Sequence, residues 1–153
     1  DPVQMADPAK FNHYMQLNAA GLCGVPPERL FRAAHVAHPC SRRTMAQLHT
    51  RFNAAFHDNA RYQMRDIRQF SPQSLHNYAC ILHKTAKLHP IKDHHHIYSG
   101  QGVGAADGTI PALLQNLRDA PDLKMLCVND LPQLEALYPD IRSWLAQLLT
   151  GAP

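Results

Sequence analysis

Three groups of residues have the types and spacing needed for chemistry on a phosphate ester. His35 and His38 are separated by two residues, Arg65 lies downstream, and Asn129 and Asp130 follow a strand-like run. A histidine titrates near neutral pH, so it can take a proton from an attacking hydroxyl. A guanidinium can bind two phosphate oxygens at once, and amide and carboxylate oxygens suit Mg²⁺. Between them, these residue types suit proton transfer, phosphate binding and Mg²⁺ binding.

The order and spacing of these groups resemble the Stealth family of sugar-1-phosphate transferases. His35-Val-Ala-His38-Pro39, the amphipathic helix that follows it, and Arg65 resemble the third conserved region of that family. Lys124-Met-Leu-Cys-Val-Asn129-Asp130 resembles the fourth. The family contains bacterial capsular and exopolysaccharide phosphotransferases and the animal lysosomal-enzyme N-acetylglucosamine-1-phosphotransferase. The resemblance extends from about Leu17 to the end of the chain, so it covers most of the sequence.

The resemblance implies transfer of a hexose-1-phosphate from a nucleotide-sugar donor to a hydroxyl of a saccharide acceptor, in capsule or exopolysaccharide synthesis. In that reaction His35 would be the general base, and His38 would orient it at the substrate or cap the next helix. Arg65 would bind the phosphate and stabilise its developing charge. Asn129 and Asp130 would bind Mg²⁺ or Mn²⁺ on the pyrophosphate, at the carboxyl end of a strand, where open α/β sheets bind ligands.

The chain also departs from the family pattern. Ala37 stands where the family commonly has a proline, Asp66 follows Arg65 where serine or histidine is usual, and Leu131 follows the Asn-Asp pair. The first two conserved regions of the family are not in this sequence. We therefore expect the chain to supply the C-terminal half of the site, to need the N-terminal half of the same enzyme as its partner, and to be incomplete alone.

A metal-dependent nuclease is one alternative. Asp93-His94-His95-His96-Ile97 resembles the start of the ββα-metal motif of HNH-like nucleases. That motif needs a further histidine on a nearby helix, and no histidine follows His96. Neighbouring residues on a strand also point to opposite faces, so three consecutive histidines cannot all bind one ion in regular geometry. This alternative is the less favoured one.

Structural explanations exist for the same residues. Asn129-Asp130 before a helix can be an N-cap, and an isolated Arg65 can be a solvated charge. The chain could also be a helical interaction module without catalytic activity. Its contact surface would be an apolar helical face, formed by Leu134, Leu137, Ile141, Trp144 and Leu148. Such a face belongs to a core more often than to an interface.

The elements that would position these residues are mostly helices. Helical spacing and Ser-Pro or Asp-Pro starts predict helices from Asp7 to Gly21, from Ser41 through Phe56, from Ser71 to His89, from Thr109 to Asp119, and from Leu131 to Leu149 with a break at Pro139. In the third of these, the side chains expected inside are Leu75, Tyr78, Ile81, Leu82 and Ala86. Short strands are predicted at His95–Tyr98 and Leu123–Val128.

The length of the chain limits the number of domains. The 153 residues suit a single domain, 1–153, or the C-terminal fragment of a larger catalytic domain. We predict an α+β fold, predominantly helical with two or three short strands, as the C-terminal portion of a larger Rossmann-like transferase.

The net charge and the cysteine spacing indicate which kinds of partner and which cellular compartment to expect. The net charge is +3 and the basic residues are scattered, so no nucleic-acid partner is predicted. The four cysteines have no CxxC spacing, which favours reduced thiols. We expect a cytoplasmic protein, compatible with peripheral attachment to the inner face of a bacterial membrane.

Overall fold

The computed structural model describes residues 11–31, 33, 37–88, 93–97, 112, 117 and 122–150. The chain divides into two compact units. The first contains residues 1–33 and 38–89, and the second contains residues 34–37 and 90–153. Helices predominate, and the described residues contain one two-stranded parallel sheet. The predicted α+β class is therefore confirmed. None of the described helices is long and apolar enough to cross a membrane.

The first unit is built from four α-helices around one core. Its helices are α1 (Phe11–Leu22), α2 (Arg42–Arg51), α3 (Asn53–Ala60) and α4 (Pro72–Leu82), and a 3-10 turn covers Pro27–Arg29. The buried core side chains come from α1, α2, α4 and the loop before α4; they are Ala19, Ala20, Leu48, Phe70, Leu75, Tyr78 and Ala79. The predicted start of α1 at Asp7 lies outside the described residues.

Serine side chains cap two of these helices, and the sequence predicts the cap at Ser71. Ser41 Oγ accepts a hydrogen bond from the Thr44 amide, and Ser71 Oγ accepts one from the Ser74 amide, both at 3.2 Å. Pro72 occupies the first turn of α4, where a missing N–H costs nothing because no helical carbonyl is available for it. Each cap satisfies an amide that would otherwise have no partner inside the helix.

A glycine ends α1. Gly24 has a φ of +73°, and the Val25 amide donates to the Ala20 carbonyl at 2.9 Å. This is the Schellman arrangement, in which a left-handed residue turns the chain away from the helix axis. Glycine adopts that conformation without steric cost, which explains why the helix ends within one residue of the predicted Gly21.

The end of α4 differs from the prediction. The sequence predicts a helix as far as His89, but α4 ends at Leu82. Lys84 takes the left-handed conformation with a φ of +56°, and the Thr85 amide donates to the Cys80 carbonyl at 2.8 Å. A lysine in this position gives no sequence signal for a helix end, because glycine is the usual residue there.

The early end of α4 changes which side chains are buried. Leu75 and Tyr78 are buried, as predicted. Leu82 is 52% exposed and Ala86 is also exposed, so the prediction that they face inward is wrong. Both residues lie at or beyond the Schellman turn, where helical spacing no longer determines the direction of a side chain.

The predicted helix from Ser41 through Phe56 is divided into α2 and α3. Phe52 joins them with φ −113° and ψ +31°, which are not helical values. Both Phe52 and Phe56 still pack against the first core, and Phe56 meets Phe70 edge to face with ring centres 5.1 Å apart. The apolar spacing therefore identified the side chains that pack against the core. It did not predict the break between α2 and α3 at Phe52.

In its described residues, the second unit contains the sheet, two helices after the sheet, and helical residues at Ala112 and Leu117. Strand β1 (His94–Ile97) pairs in parallel with β2 (Met125–Val128), so that His96 lies opposite Cys127. Both strands lie within one or two residues of their predicted positions. Tyr98 falls outside the described residues, as does most of the predicted helix from Thr109 to Asp119. The two residues of that helix that are described, Ala112 and Leu117, are helical, as predicted.

Two helices follow β2. They are α5 (Leu131–Leu137) and α6 (Ile141–Thr150), and the predicted break at Pro139 separates them. The core of this unit contains Ile97, Leu117, Leu134 and Ile141, with Trp144 and Leu148 packed against it. Four of the five residues of the proposed interaction face therefore belong to this core, and Leu137 is exposed.

Candidate functional site

The His-x-x-His segment is fixed at its C-terminal end. His35 lies outside the described residues, and His38 is half-buried. Three residues after His38, the Ser41 amide donates a hydrogen bond of 2.9 Å to His76 Nε2. Ser41, and not His38, caps α2, so the alternative that His38 caps the next helix is wrong. Ser41 therefore joins this segment both to α2 and to α4.

His76 is a buried histidine that the sequence analysis did not single out. Its side chain is 4% exposed, and Nε2 is 3.5 Å from the Cys80 thiol. Since Nε2 accepts from the Ser41 amide, the proton of the neutral ring lies on Nδ1, which is 3.4 Å from Asn77 Oδ1. Its position within the buried stripe of α4, next to Leu75 and Ala79, is the signal that could have identified it.

Arg65 lies in the loop between α3 and α4 and is exposed. Its Nη1 donates to Asn12 Oδ1 at 3.2 Å, which ties the loop to the first turn of α1. An exposed guanidinium with a neutral partner keeps its full charge available to an anion. This setting is compatible with the predicted phosphate contact, and equally with a solvated charge.

Asp66, which departs from the family pattern, has a structural role. Arg68 donates to both of its carboxylate oxygens, at 2.8 and 2.7 Å, and the guanidinium of Arg68 lies 5.2 Å from the ring centre of Tyr62. The hydrogen bonds from Arg68 lower the pKa of Asp66 to about 2. The carboxylate is therefore occupied in holding the turn.

Asn129 continues the sheet by one residue. Its amide donates to the Ile97 carbonyl at 2.9 Å, and its Oδ1 accepts from the Cys127 thiol at 3.5 Å. The two residues are two positions apart on an extended chain, so they share a face of the sheet. His96 lies opposite Cys127 and shares that face.

Asp130 has an unusual backbone conformation. Its φ is +56° and its ψ is +37°, in the left-handed region, and the residue is exposed. It occupies the N-cap position of α5, and its carbonyl accepts from the Leu134 amide at 2.9 Å. Its side chain, however, makes no capping hydrogen bond. The expectation that Asp130 is simply the cap of α5 therefore holds for its backbone only.

The structure brings some of the predicted residues together and leaves others in separate units. Asn129 and Asp130 are adjacent at the carboxyl end of β2, in the second unit. His38 and Arg65 belong to the first unit. In the described parts of the chain, no three His, Cys, Asp or Glu side chains form a group that could hold a metal ion. All four cysteines are free thiols.

No family model, curated protein or solved structure that was compared with the chain matches it.

Proposed function

We propose that the chain supplies the C-terminal half of a Stealth-type hexose-1-phosphate transferase with a Rossmann-like catalytic domain. The observation that supports this most directly is Asp130. It follows a parallel strand, at the edge of the sheet where α/β proteins bind ligands, and its carboxylate is not used to cap the helix it begins.

The conformation of Asp130 has an energetic cost. A residue other than glycine in the left-handed region costs about 1 kcal/mol or more, although aspartate tolerates it better than most. A missing side-chain cap forfeits about 1 kcal/mol of helix stability. Costs of this kind are concentrated at functional sites. The geometry therefore favours a role for the carboxylate other than stabilising α5.

The donor set suits a hard cation that is completed by substrate. Asn129 and Asp130 offer an amide oxygen and a carboxylate, both of which are ligands for Mg²⁺. Two protein ligands are few, but Mg²⁺ is commonly bound through one or two carboxylates with substrate phosphates and water in the other positions. When bound, the cation would neutralise charge on the leaving nucleotide.

The other predicted residues have the remaining tasks in this proposal. His35 takes the proton of the acceptor hydroxyl, and His38 holds the segment that carries it. Arg65 binds the non-bridging oxygens of the transferred phosphate. The nucleotide-sugar donor and the saccharide acceptor are the substrates, and the N-terminal half of the enzyme completes the site. The reaction belongs to capsule or exopolysaccharide synthesis at the cytoplasmic face of a bacterial membrane.

Calorimetric titration of Mg²⁺ into the enzyme that carries both halves tests this proposal. We expect Mg²⁺ to bind weakly without donor and more tightly with it, and the donor-dependent gain to disappear in Asp130→Asn. Asp122→Asn changes an exposed carboxylate of the same unit and is the matched control. A donor-dependent site of unchanged affinity in Asp130→Asn would remove Asp130 from the proposed metal site.

A further inference from the structure

The first unit contains a cavity of about 490 Å³ that none of the motifs predicts. It lies between α1, α3 and the turn at 66–70. Its volume is in the range of small-molecule sites. The apolar part of its lining is formed by Leu17, Leu22, Ala55 and Phe70.

A network of side-chain hydrogen bonds fixes the turn that borders the cavity. Asn18 Nδ2 donates to the carbonyls of Ile67 and Gln69, both at 2.7 Å. Asn59 Oδ1 accepts from the Phe70 amide at 2.7 Å, and the Gln69 side chain donates to the Asn59 carbonyl at 3.2 Å. These bonds join an irregular turn to two helices, so the polar rim of the cavity is already formed before any ligand binds.

The polar lining residues retain hydrogen-bonding capacity beyond this network. Within the described residues, Asn18 Oδ1, Asn59 Nδ2, the Tyr62 hydroxyl and Arg68 Nη1 have no hydrogen-bond partner. One is an acceptor, two are donors, and the hydroxyl can be either. A complementary ligand must therefore both donate and accept hydrogen bonds and present an apolar face.

Charge and polarity exclude several classes of ligand. An anion would lie beside Asp58 and would find the fork of Arg68 already bound to Asp66. A purely apolar ligand would cover the polar atoms of Asn18 and Asn59 without satisfying them, which costs binding energy. A neutral ring with several hydroxyls and an apolar C–H face meets both requirements.

We propose that this cavity binds a neutral saccharide. The C–H face of one sugar ring packs on Leu17 and Phe70, and its hydroxyls bond to the side chains of Asn18, Asn59 and Arg68. The proposal is independent of the transferase reaction, because His35, Asn129 and Asp130 take no part in it. It also assigns a role to the turn at 66–70 that does not involve phosphate.

Two substitutions separate binding from folding. Gly21 lines the cavity, and a Cβ atom built there meets no other atom within 4 Å. A side chain can therefore begin at this position without a clash at its Cβ atom, and Gly21→Leu should place a larger apolar group in the cavity. Leucine is also the better helix former. Asn59→Asp keeps the Oδ1 acceptor of the Phe70 amide but replaces the free Nδ2 donor with an acceptor. His13→Leu, at an exposed position of α1, the helix that also contains Gly21, is the control.

The experiment is an amide NMR titration of the whole chain with maltose and N-acetylglucosamine, and with cyclohexanol and inorganic phosphate for comparison. We expect the two sugars to shift the amides of Gly21, Asn59 and Arg68 saturably. Binding should be lost in Gly21→Leu, weakened about ten- to hundredfold in Asn59→Asp, and unchanged in His13→Leu.

Several results would overturn the proposal. They are the absence of saturable shifts with either sugar, shifts that persist in Gly21→Leu, and tighter binding of cyclohexanol or phosphate than of the sugars. Folding of each variant is checked by its thermal midpoint, which Gly21→Leu should not lower.

Discussion

Two helices of the first unit, α2 and α4, begin differently from α5 of the second unit. In the first unit, the hydroxyls of Ser41 and Ser71 each bond to an amide of the helix that follows. In the second unit, Asp130 stands at the start of α5 in a left-handed conformation, and its carboxylate makes no such bond. Aspartate is as good a cap as serine when its backbone is extended.

This difference follows from the backbone conformations of the three capping residues. Both serine residues have extended backbones, with φ of −75° and −85°, which is the conformation that lets a side chain reach the amides of the first turn. The left-handed backbone of Asp130 directs its side chain elsewhere. The polar groups at the start of α2 and α4 therefore stabilise helices, whereas the carboxylate at the start of α5 does not cap the helix that it precedes.

The largest effect should come from His76, which holds the capped start of α2. His76→Leu removes the acceptor of the Ser41 amide and should lower the free energy of unfolding by about 2 kcal/mol. His76→Gln places an amide oxygen near the position of Nε2 and should restore at least half of that loss. Chemical denaturation measures both variants. Equal stability of the Leu and Gln variants would mean that the hydrogen bond contributes little.

Loss of a serine cap should have a smaller effect. Ser71→Ala removes the bond to the Ser74 amide and should destabilise the first unit by about 1 kcal/mol. Ser71→Asp can accept the same bond, so it should retain most of the stability. A Ser71→Ala variant as stable as the original chain would show that Pro72 and core packing alone fix the start of α4.

The opposite sign is expected at Asp130. Asp130→Gly relieves the left-handed strain and sacrifices no side-chain cap, although glycine adds entropy to the unfolded chain. The variant should therefore be between zero and about 1 kcal/mol more stable. Donor-dependent Mg²⁺ binding should nevertheless be lost. A destabilised Asp130→Gly variant would show that the carboxylate supports the fold, and would break the contrast with the serine caps.

The sequence predicted most of the helices because their start signals and apolar spacing are local. The Ser-Pro start of α4 and the break at Pro139 are examples. The prediction was wrong where a residue adopts a backbone conformation that is uncommon for its residue type. Lys84 ends α4 by a left-handed turn, and Phe52 interrupts the predicted helix with a non-helical ψ.

The candidate site was predictable only in part. A motif identifies Asn129 and Asp130, but not that the Asp130 side chain leaves α5 uncapped, because the sequence does not specify φ. The cavity beside the turn at 66–70 was missed altogether. Its polar lining includes Asn18 and Asn59, which are far apart in the chain and are common surface-residue types, so only the folded arrangement reveals them.

The smallest effect concerns Asp66, whose carboxylate is paired with Arg68. Hydrogen bonds from Arg68 lower its folded-state pKa to about 2 from an ordinary value of 3.8. The folded state therefore favours the charged form, and this stabilising contribution is complete above pH about 4 and is lost as the pH falls through about 2.

Asp66→Asn should remove that part of the acid dependence of unfolding, while Asp122→Asn should not. Because Arg68 is largely exposed, water and salt screen the pair, so the change should be small and smaller still in high salt. Identical acid dependence in Asp66→Asn and the original chain would show that the pair with Arg68 contributes nothing to stability, and the contrast between Asp66 and Asp130 would then rest on geometry alone.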